Sequence, residues 1–297
     1  MSGRPGTTSR LGTTSRLATT SRLGMISRLG STARHLLLMA VTVAALAPLT
    51  FMLLTSLRTG DDYATAPGGA PRAWTLDNYT RAFTEIPALR WALNSLIVSA
   101  ASVLLSTVIA ALAAYALVFG RFRGRSVLLA AHIGLIMVPP VVLLLPMFVV
   151  MLNLRLINNP ASVILFYSCL LVPFATFFLT NFFRTVPPEL LEAATIDGAG
   201  PLRSLTAVVL PLAAPALVTV AVVNVIWAWN ELLIALVFLQ DENRRTLMSG
   251  LSLLQGRYAT DQPLVLAVAT LSVVPVVLFY LAGQRAFVRG LTAGIGK

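Results

Sequence analysis

Few side chains in this sequence could take part in chemistry, and the most informative of them lie in one apolar stretch. Glu231 is the only formal charge between residues 204 and 240, and Asn224, Trp227 and Asn230 lie close before it. In a helix of 3.6 residues per turn, Asn224, Trp227 and Glu231 share one face. An indole offers a polar solute a stacking surface, while the amides and the carboxylate offer hydrogen bonds. These four residues form a candidate substrate pathway, or alternatively they only tie neighbouring helices together.

The sequence contains few residues that could carry out covalent catalysis or bind a metal ion. The chain has one cysteine, Cys169, and two histidines, His35 and His132, which excludes a disulfide, a cysteine cluster and a paired-histidine zinc site. An intramembrane hydrolase would need a nucleophile beside a base, and His132 has no acid near it in sequence. No Gly-x-x-x-x-Gly-Lys-[Ser/Thr] string occurs, so a partner must hydrolyse ATP if ATP drives this protein. We expect no enzyme activity, no metal and no cofactor in this chain.

Composition indicates what surrounds the protein. Of its 297 residues, 57% are hydrophobic and 11% are charged, whereas soluble domains have roughly 25% charged residues. Six charge-poor runs each reach the roughly 20 residues that a helix needs to cross a membrane. Such long, uniformly apolar runs predict an all-α membrane protein rather than a barrel. The predicted spans are about 36–57, 92–117, 127–152, 162–183, 212–239 and 263–284.

The distribution of basic residues predicts the orientation. With both termini inside, inside segments hold fourteen of the 22 Lys and Arg residues and outside segments hold eight. Positive charge favours the cytoplasmic side, so an N-in, C-in multi-pass protein of the plasma membrane is expected. The net charge of +11 is then mainly a topology signal, and no nucleic-acid partner is expected.

The first 34 residues form a separate region. A six-residue unit repeats four times between Gly6 and Leu29, each copy ending in Ser-Arg-Leu. A repeat this small and polar cannot build a core, so residues 1–34 are expected to be a disordered tail whose arginines could lie on membrane lipid. The transmembrane domain is expected to cover residues 35–297.

The polar segment 184–211 lies between two apolar runs. Pro188 suits the first turn of a helix, and Glu189 and Glu192 follow where negative charge favours the helix dipole. Gly198 can adopt the left-handed conformation that ends a helix, and Pro211 can bend the chain as it enters the membrane. Eight or nine residues are too few for a stable isolated helix, because about 12 to 15 are marginal even for alanine-rich peptides. A partner must therefore hold this helix.

The same segment closely resembles the cytoplasmic "EAA" loop of permease subunits of binding-protein-dependent ABC importers. The string from Pro188 to Ala199, with Leu210-Pro211 at the family spacing, is the most specific match. Val208 stands where an isoleucine is usual in the family, and the chain ends Gly294-Ile295-Gly296-Lys297 where an Ala-Val-Lys-Gly ending is commoner. Three further strings resemble the carbohydrate-uptake branch: Leu76-Asp77-Asn78-Tyr79 with Asn94-Ser95, then Trp229-Asn230-Glu231, and finally Gln284-Arg285 with Phe287 to Gly294.

The resemblance implies a type I ABC importer permease, the smaller six-span member of a pair, which moves a sugar or oligosaccharide. It implies a second homologous permease, two ABC ATPase subunits that bind ATP and receive the helix at 187–198, and an extracytoplasmic sugar-binding protein. The residues it assigns to ATPase coupling are Glu189, Glu192, Ala193, Ala194, Asp197, Gly198 and Pro211. An ion-coupled secondary transporter of a small polar solute is the alternative, and it would leave this loop unexplained.

The outside segment from Asp241 to Asp261 is too polar for lipid. Gly250 and Gly256 are candidate hinges, and with Tyr258 they form a candidate contact for the binding protein. In the resembled family this loop reaches into the opened binding protein. The alternative is a passive connector.

Overall fold

The computed structural model describes the backbone of residues 14–258 and 261–293, and the side chains of residues 34–258 and 261–284. Two compact units result, Met1–Leu54 and Thr55–Lys297. Across the described ranges the chain is helical, and the only β pairing is one isolated bridge between Arg58 and Trp74. The all-α prediction is therefore confirmed.

The first unit contains helix α1, Thr14–Ser56, except for its last two residues, which belong to the second unit. Its segment Arg34–Ser56 is apolar enough to cross a membrane. The helix begins inside the repeats, at Thr14, and residues 1–13 lie outside the described part. The disorder of residues 1–34 stays a prediction. Pro48 is the only proline inside this helix.

The second unit contains the remaining helices. They are α2 Gly60–Thr65, α3 Asp77–Thr84, α4 Ala88–Phe119, α5 Arg125–Ile136, α6 Pro140–Asn153, α7 Pro160–Phe183, α8 Pro188–Ile196, α9 Pro201–Ser204, a π-helical turn Leu205–Val209, α10 Leu210–Leu212, α11 Ala214–Asn230, α12 Leu233–Phe238, a 3₁₀ turn Glu242–Arg244, α13 Leu247–Arg257 and α14 Gln262–Ala293.

Four described helices are long and apolar enough to cross a membrane, and two bent pairs bring the number to six if each pair is one span. The predicted span 127–152 is broken between α5 and α6, whose axes differ by 99°. Pro139 and Pro140 cause this break, because proline lacks an N–H and disfavours helical backbone in the residue before it. The predicted span 212–239 begins after a 79° bend, and its helix ends early, at Asn230.

Small side chains bring the central helices together. Ala110 and Ala114 of α4 pack with Ala175 of α7 and Ala216 of α11 in one buried cluster. A second cluster at the other end of α4 is built around Trp91 and includes residues of α11, α13 and α14. Close packing of this kind uses small residues because lipid gives helices no hydrophobic reason to associate.

The segment after α1 folds around a buried arginine. Arg58 is 1% exposed and donates from Nε to Asp62 Oδ2 at 2.7 Å. Its other nitrogens donate to the carbonyl oxygens of Asp62, Ala66 and Gly69. Asn78 donates from Nδ2 to the carbonyl oxygens of Ser56 (2.9 Å) and Arg58 (2.7 Å). Asn78 therefore anchors α3 to the end of α1.

Candidate coupling loop and substrate pathway

Helix α8 has the start and the stop that its sequence predicts. It begins at Pro188 and ends at Ile196, with Asp197 as its C-cap. Gly198 has a φ of +78°. The amide of Ala199 donates to the carbonyl of Ala194 and that of Gly198 to the carbonyl of Thr195, which is the Schellman arrangement. The predicted left-handed stop is confirmed.

The outer face of α8 is open. None of its residues is buried, and Ile196 is 86% exposed. Leu191 is the residue that packs against the cluster around Ala110 and Ala175. A nine-residue helix with so little burial within its own chain needs contacts from outside the chain to be stable. The sequence does not predict that Ile196 is exposed, because its neighbours Thr195 and Asp197 give no periodic apolar pattern.

A mostly helical path leads from α8 into the bundle, after a four-residue turn at 197–200. Helix α9 and the π-helical turn follow α8, and Leu205 and Val209 of that turn are buried in the same cluster. Helix α10 then carries Pro211, which is exposed, and the path bends by 79° before α11. The predicted bend near Pro211 is confirmed. Helix α8 is therefore connected to α11 by a four-residue turn followed by packed helix.

The polar face predicted for Asn224, Trp227 and Glu231 is not continuous. Helix α11 ends at Asn230, and Glu231 has extended backbone with φ −69° and ψ 123°. Its carboxylate lies over the start of α12, where it accepts hydrogen bonds from the amides of Leu233 (3.0 Å) and Ile234 (3.1 Å). A carboxylate satisfies the free amides at a helix N-terminus and favours its dipole. Because Glu231 caps α12 instead of continuing α11, helix α11 ends at Asn230.

Tyr167 of α7 joins two of the four pathway residues. Its hydroxyl donates to Glu231 Oε2 at 2.6 Å, and its ring meets Trp227 edge-on with centroids 5.4 Å apart. The sequence analysis does not identify Tyr167 as part of this site, although a tyrosine hydroxyl within an apolar run indicates a buried hydrogen bond. Asn224 and Asn230 take no part in these contacts.

The two asparagines have different surroundings. Asn224 is 2% exposed and its Nδ2 has no hydrogen-bond partner among the described residues. Asn230 is exposed and its Nδ2 donates to the carbonyl of Ile226 at 2.7 Å. The sequence-predicted set is therefore divided into a Trp227–Tyr167–Glu231 contact, one buried amide and one exposed amide.

The described part of the segment Asp241–Asp261, residues 241–258 and 261, is folded rather than open. Helix α13 occupies most of it, and Gly250 lies inside this helix. A Cβ on Gly250 would stand 2.3 Å from Cε3 of Trp91, so this glycine permits close packing. Gly256 is also inside α13 but has open space around it. Both glycines continue a regular helix rather than lying in a loop, and their role as hinges stays a prediction. Tyr258 packs against the Trp91 cluster.

Three residues at the start of α4 fix the beginning of this segment. Asn94 donates from Nδ2 to the carbonyls of Asn243 and Arg245, both at 2.9 Å. Ser95 Oγ accepts from the amide of Leu247 at 2.8 Å, and Trp91 Nε1 donates to the carbonyl of Glu242 at 2.7 Å. These bonds give the Asn94-Ser95 string a structural task that its sequence did not reveal.

An ion pair fixes the other end of the segment. Arg81 of α3 contacts Asp261 at 2.9 Å and Glu85 at 3.0 Å. Hydrogen bonds to Glu85 and Asp261 raise the pKa of Arg81 above its ordinary value. The segment is therefore clamped at both ends.

Comparison with known proteins agrees with this architecture. Residues 106–293 match the family described as "Binding-protein-dependent transport system inner membrane component". The sulfoquinovosyl glycerol transport system permease SmoH of Agrobacterium fabrum is 37% identical over 253 residues, 85% of this chain and 89% of the relative. The diacetylchitobiose uptake permease NgcG of Streptomyces coelicolor is 30% identical over 88% of this chain and 87% of the relative. The melibiose/raffinose/stachyose import permease MelC of Bacillus subtilis is 30% identical over 88% of this chain and 95% of the relative.

A solved structure shares the fold. A chain of a bacterial ABC transporter involved in the import of the acidic polysaccharide alginate superposes with a TM-score of 0.74 and 24% identity, covering 88% of this chain and 97% of that one. Fold, family match and relatives agree. This chain belongs to the family of inner-membrane components of binding-protein-dependent transport systems, and it is a multi-pass membrane permease rather than an enzyme.

Proposed function

We propose that this protein is the permease subunit of an ATP-driven ABC importer that moves a sugar or oligosaccharide across the plasma membrane. The observation that carries the proposal is the open face of α8 at the start of a packed helical path. Relatives named for import of diacetylchitobiose and of raffinose support the carbohydrate substrate.

Two ABC ATPase subunits and a second homologous permease complete the proposed assembly. One ATPase receives α8 in a groove, and ATP-driven closure moves α8 and, through the π-helical turn, α11. The proposed coupling residues, all of which lie in or after α8, are Glu189, Glu192, Ala193, Ala194, Asp197, Gly198 and Pro211.

The proposed orientation is N-in and C-in, with α8 on the cytoplasmic side. It rests on the excess of basic residues in segments on that side. Cysteine substitution of Leu202 on α9, and of Leu89 at the opposite end of α4, tests it, since both are exposed. A membrane-impermeant thiol reagent added to intact cells should label Leu89→Cys and spare Leu202→Cys; the reverse pattern would contradict the orientation.

The substrate pathway is proposed to border Asn224, Trp227, Asn230 and Glu231. The unpartnered amide of Asn224 and the half-buried indole of Trp227 support it. In a Cys169→Ala background, cysteine at 227 or 230 should react with a small water-soluble thiol reagent, whereas cysteine at the buried Ala228 should not. Equal protection at all three positions, with and without ATP, would favour a purely structural role.

The segment Asp241–Asp261 is proposed to contact the sugar-binding protein through the outer face of α13, near Gly256 and Tyr258, while Gly250 supports this helix from its buried side against Trp91. Leu253 is 40% exposed on that helix. Leu253→Glu should keep the basal ATPase activity of the assembled complex and remove its stimulation by loaded binding protein. Full stimulation would identify the segment as a connector.

Reconstitution tests the proposed function against ion-coupled transport. Proteoliposomes that contain both permeases, the ATPases and the binding protein should accumulate labelled oligosaccharide with ATP and continue to do so with an uncoupler. Uptake that needs an ion gradient and no ATPase would identify a secondary transporter instead.

A further inference from the structure

A cavity of about 440 Å³ lies at the end of the bundle where α8 begins. The end of α4, the start of α5 and the end of α7 enclose it. Its wall combines apolar side chains, including Leu117, Leu129 and Ile133, with the polar side chains of Arg125, Ser126 and Arg184. The cavity is therefore amphiphilic, with positive charge beside a hydrocarbon surface.

The two arginines of this cavity differ from three arginines at the other end of the bundle. Arg58, Arg81 and Arg257 each contact a carboxylate of the same chain. The guanidinium groups of Arg125 and Arg184 have no hydrogen bond or ion pair to any described residue. Two unpaired guanidinium groups on one cavity favour an anion from outside the chain, since the planar fork of arginine binds phosphate oxygens well.

The apolar surface continues away from the cavity along α5. Val127 is 70% exposed and Leu135 is 54% exposed. A free inorganic anion would use the guanidinium groups and leave this surface bare. An amphiphile with an anionic head and hydrocarbon tails would use both, and basic pockets between transmembrane helices are known to suit such head groups.

We propose that this cavity binds an anionic membrane phospholipid, with its phosphate between Arg125 and Arg184 and its first acyl methylenes against Leu129 and Ile133. The cavity volume lies in the range of sites for small molecules, about 300 to 1,000 Å³. It accommodates the head group and the start of the tails, while the remaining tails lie along α5. The proposal depends on the membrane location of the chain and does not depend on its transport activity.

Native mass spectrometry of the full chain, purified in mild detergent with added phosphatidylglycerol, tests the site. The double variant Arg125→Gln/Arg184→Gln should bind phosphatidylglycerol about tenfold more weakly than wild type, since each surface-proximal arginine adds severalfold to anionic lipid binding. The charge-matched control is Arg121→Gln/Arg123→Gln, on the exposed loop that precedes α5 and outside the cavity lining. It should retain wild-type binding. Arg125→Lys/Arg184→Lys should retain more binding than the glutamine pair.

Two further measurements identify the ligand and guard against misfolding. Ala130→Trp fills the cavity without removing charge and should also weaken lipid binding, while size-exclusion elution and melting temperature of each variant should match wild type. Millimolar inorganic phosphate should not displace phosphatidylglycerol. Equal lipid binding by the glutamine pair and its control, displacement by inorganic phosphate, or a photo-crosslink from position 130 to a partner subunit in place of lipid would overturn the proposal.

Discussion

At the scale of single residues, Gly198 is the position where backbone conformation carries the most weight. Its φ of +78° is in the left-handed region, yet a Cβ there would meet no atom within 4 Å. A side chain would therefore cause strain without a clash, and a β-branched residue costs about 1 to 2 kcal/mol in this region.

Gly198→Val should move α8 relative to α9 and abolish transport while leaving membrane insertion intact. Gly200→Val is the matched control, since that residue has equally open space but an ordinary φ of −71°. Transport by proteoliposomes and co-purification of the ATPase measure the effect. Normal transport by Gly198→Val would show that the left-handed stop does not position α8.

Gly250 and Gly256 lie on the same helix, but alanine substitution at the two positions should have opposite effects on stability. Gly250→Ala places a Cβ against Trp91, and such overpacking costs about 1 to 3 kcal/mol. Gly256→Ala adds a Cβ to open space in a helix, where alanine is favoured over glycine by up to about 1 kcal/mol. The melting temperature of the purified chain should fall for Gly250→Ala and hold or rise for Gly256→Ala. Equal shifts would contradict the packing role of Gly250.

Sequence reasoning was effective at residues whose role is local. The proline start and glycine stop of α8 follow from backbone chemistry that neighbouring residues determine, and the structure has both. Glu231 shows the limit. Its side chain caps α12 and reaches Tyr167 on another helix, and helical periodicity cannot reveal that a side chain will compete with the helix that contains it.

At the scale of elements, the segment from α1 to α3 is organised by the Arg58–Asp62 contact. The hydrogen bond from Arg58 holds the pKa of the Asp62 carboxyl below its ordinary value of 3.8. A depressed carboxyl pKa stabilises the fold at pH values above the unfolded value, and this stabilisation is lost as pH falls through the lower folded value.

The acid sensitivity of this segment is therefore predictable. Asp62→Asn should lower the melting temperature near pH 6, and the difference from wild type should shrink below about pH 4. Asp61→Asn, which changes the exposed neighbouring carboxyl, should track wild type. Melting curves recorded in detergent between pH 6 and pH 3 provide the comparison. A constant difference across that range would mean that Asp62 does not act through its charge.

The sequence does not predict elements whose shape depends on a change in helix axis or on contacts with distant residues, because neither changes the local composition. Residues 127–152 are apolar throughout, so hydropathy gives one span, although Pro139 and Pro140 divide it into two helices at 99°. Likewise, the polar composition after Asp241 predicts a loop. Hydrogen bonds with Asn94 and Ser95 of the distant helix α4 instead fix the start of α13. Such contacts span about 150 positions and leave no local pattern.

At the scale of the whole molecule, the exposed face of α8 predicts how the assembly forms. Ile196 is 86% exposed at the end of a helix that its own chain hardly buries. Full burial of such a side chain contributes about 1.5 to 3 kcal/mol, which corresponds to roughly a tenfold to hundredfold change in affinity. Charge placed there would oppose that burial.

Ile196→Glu should therefore reduce co-purification of the ATPase subunits by at least about tenfold, with transport falling in parallel. Leu89→Glu introduces the same charge at an exposed leucine, 60% exposed, at the opposite end of α4, and it should leave ATPase binding unchanged. Both variants should elute as wild type in size exclusion, because neither side chain is in the core. If Ile196→Glu retains the ATPase as well as Leu89→Glu does, then α8 is not the docking element, and the ATPase must bind to other segments at that end of the bundle.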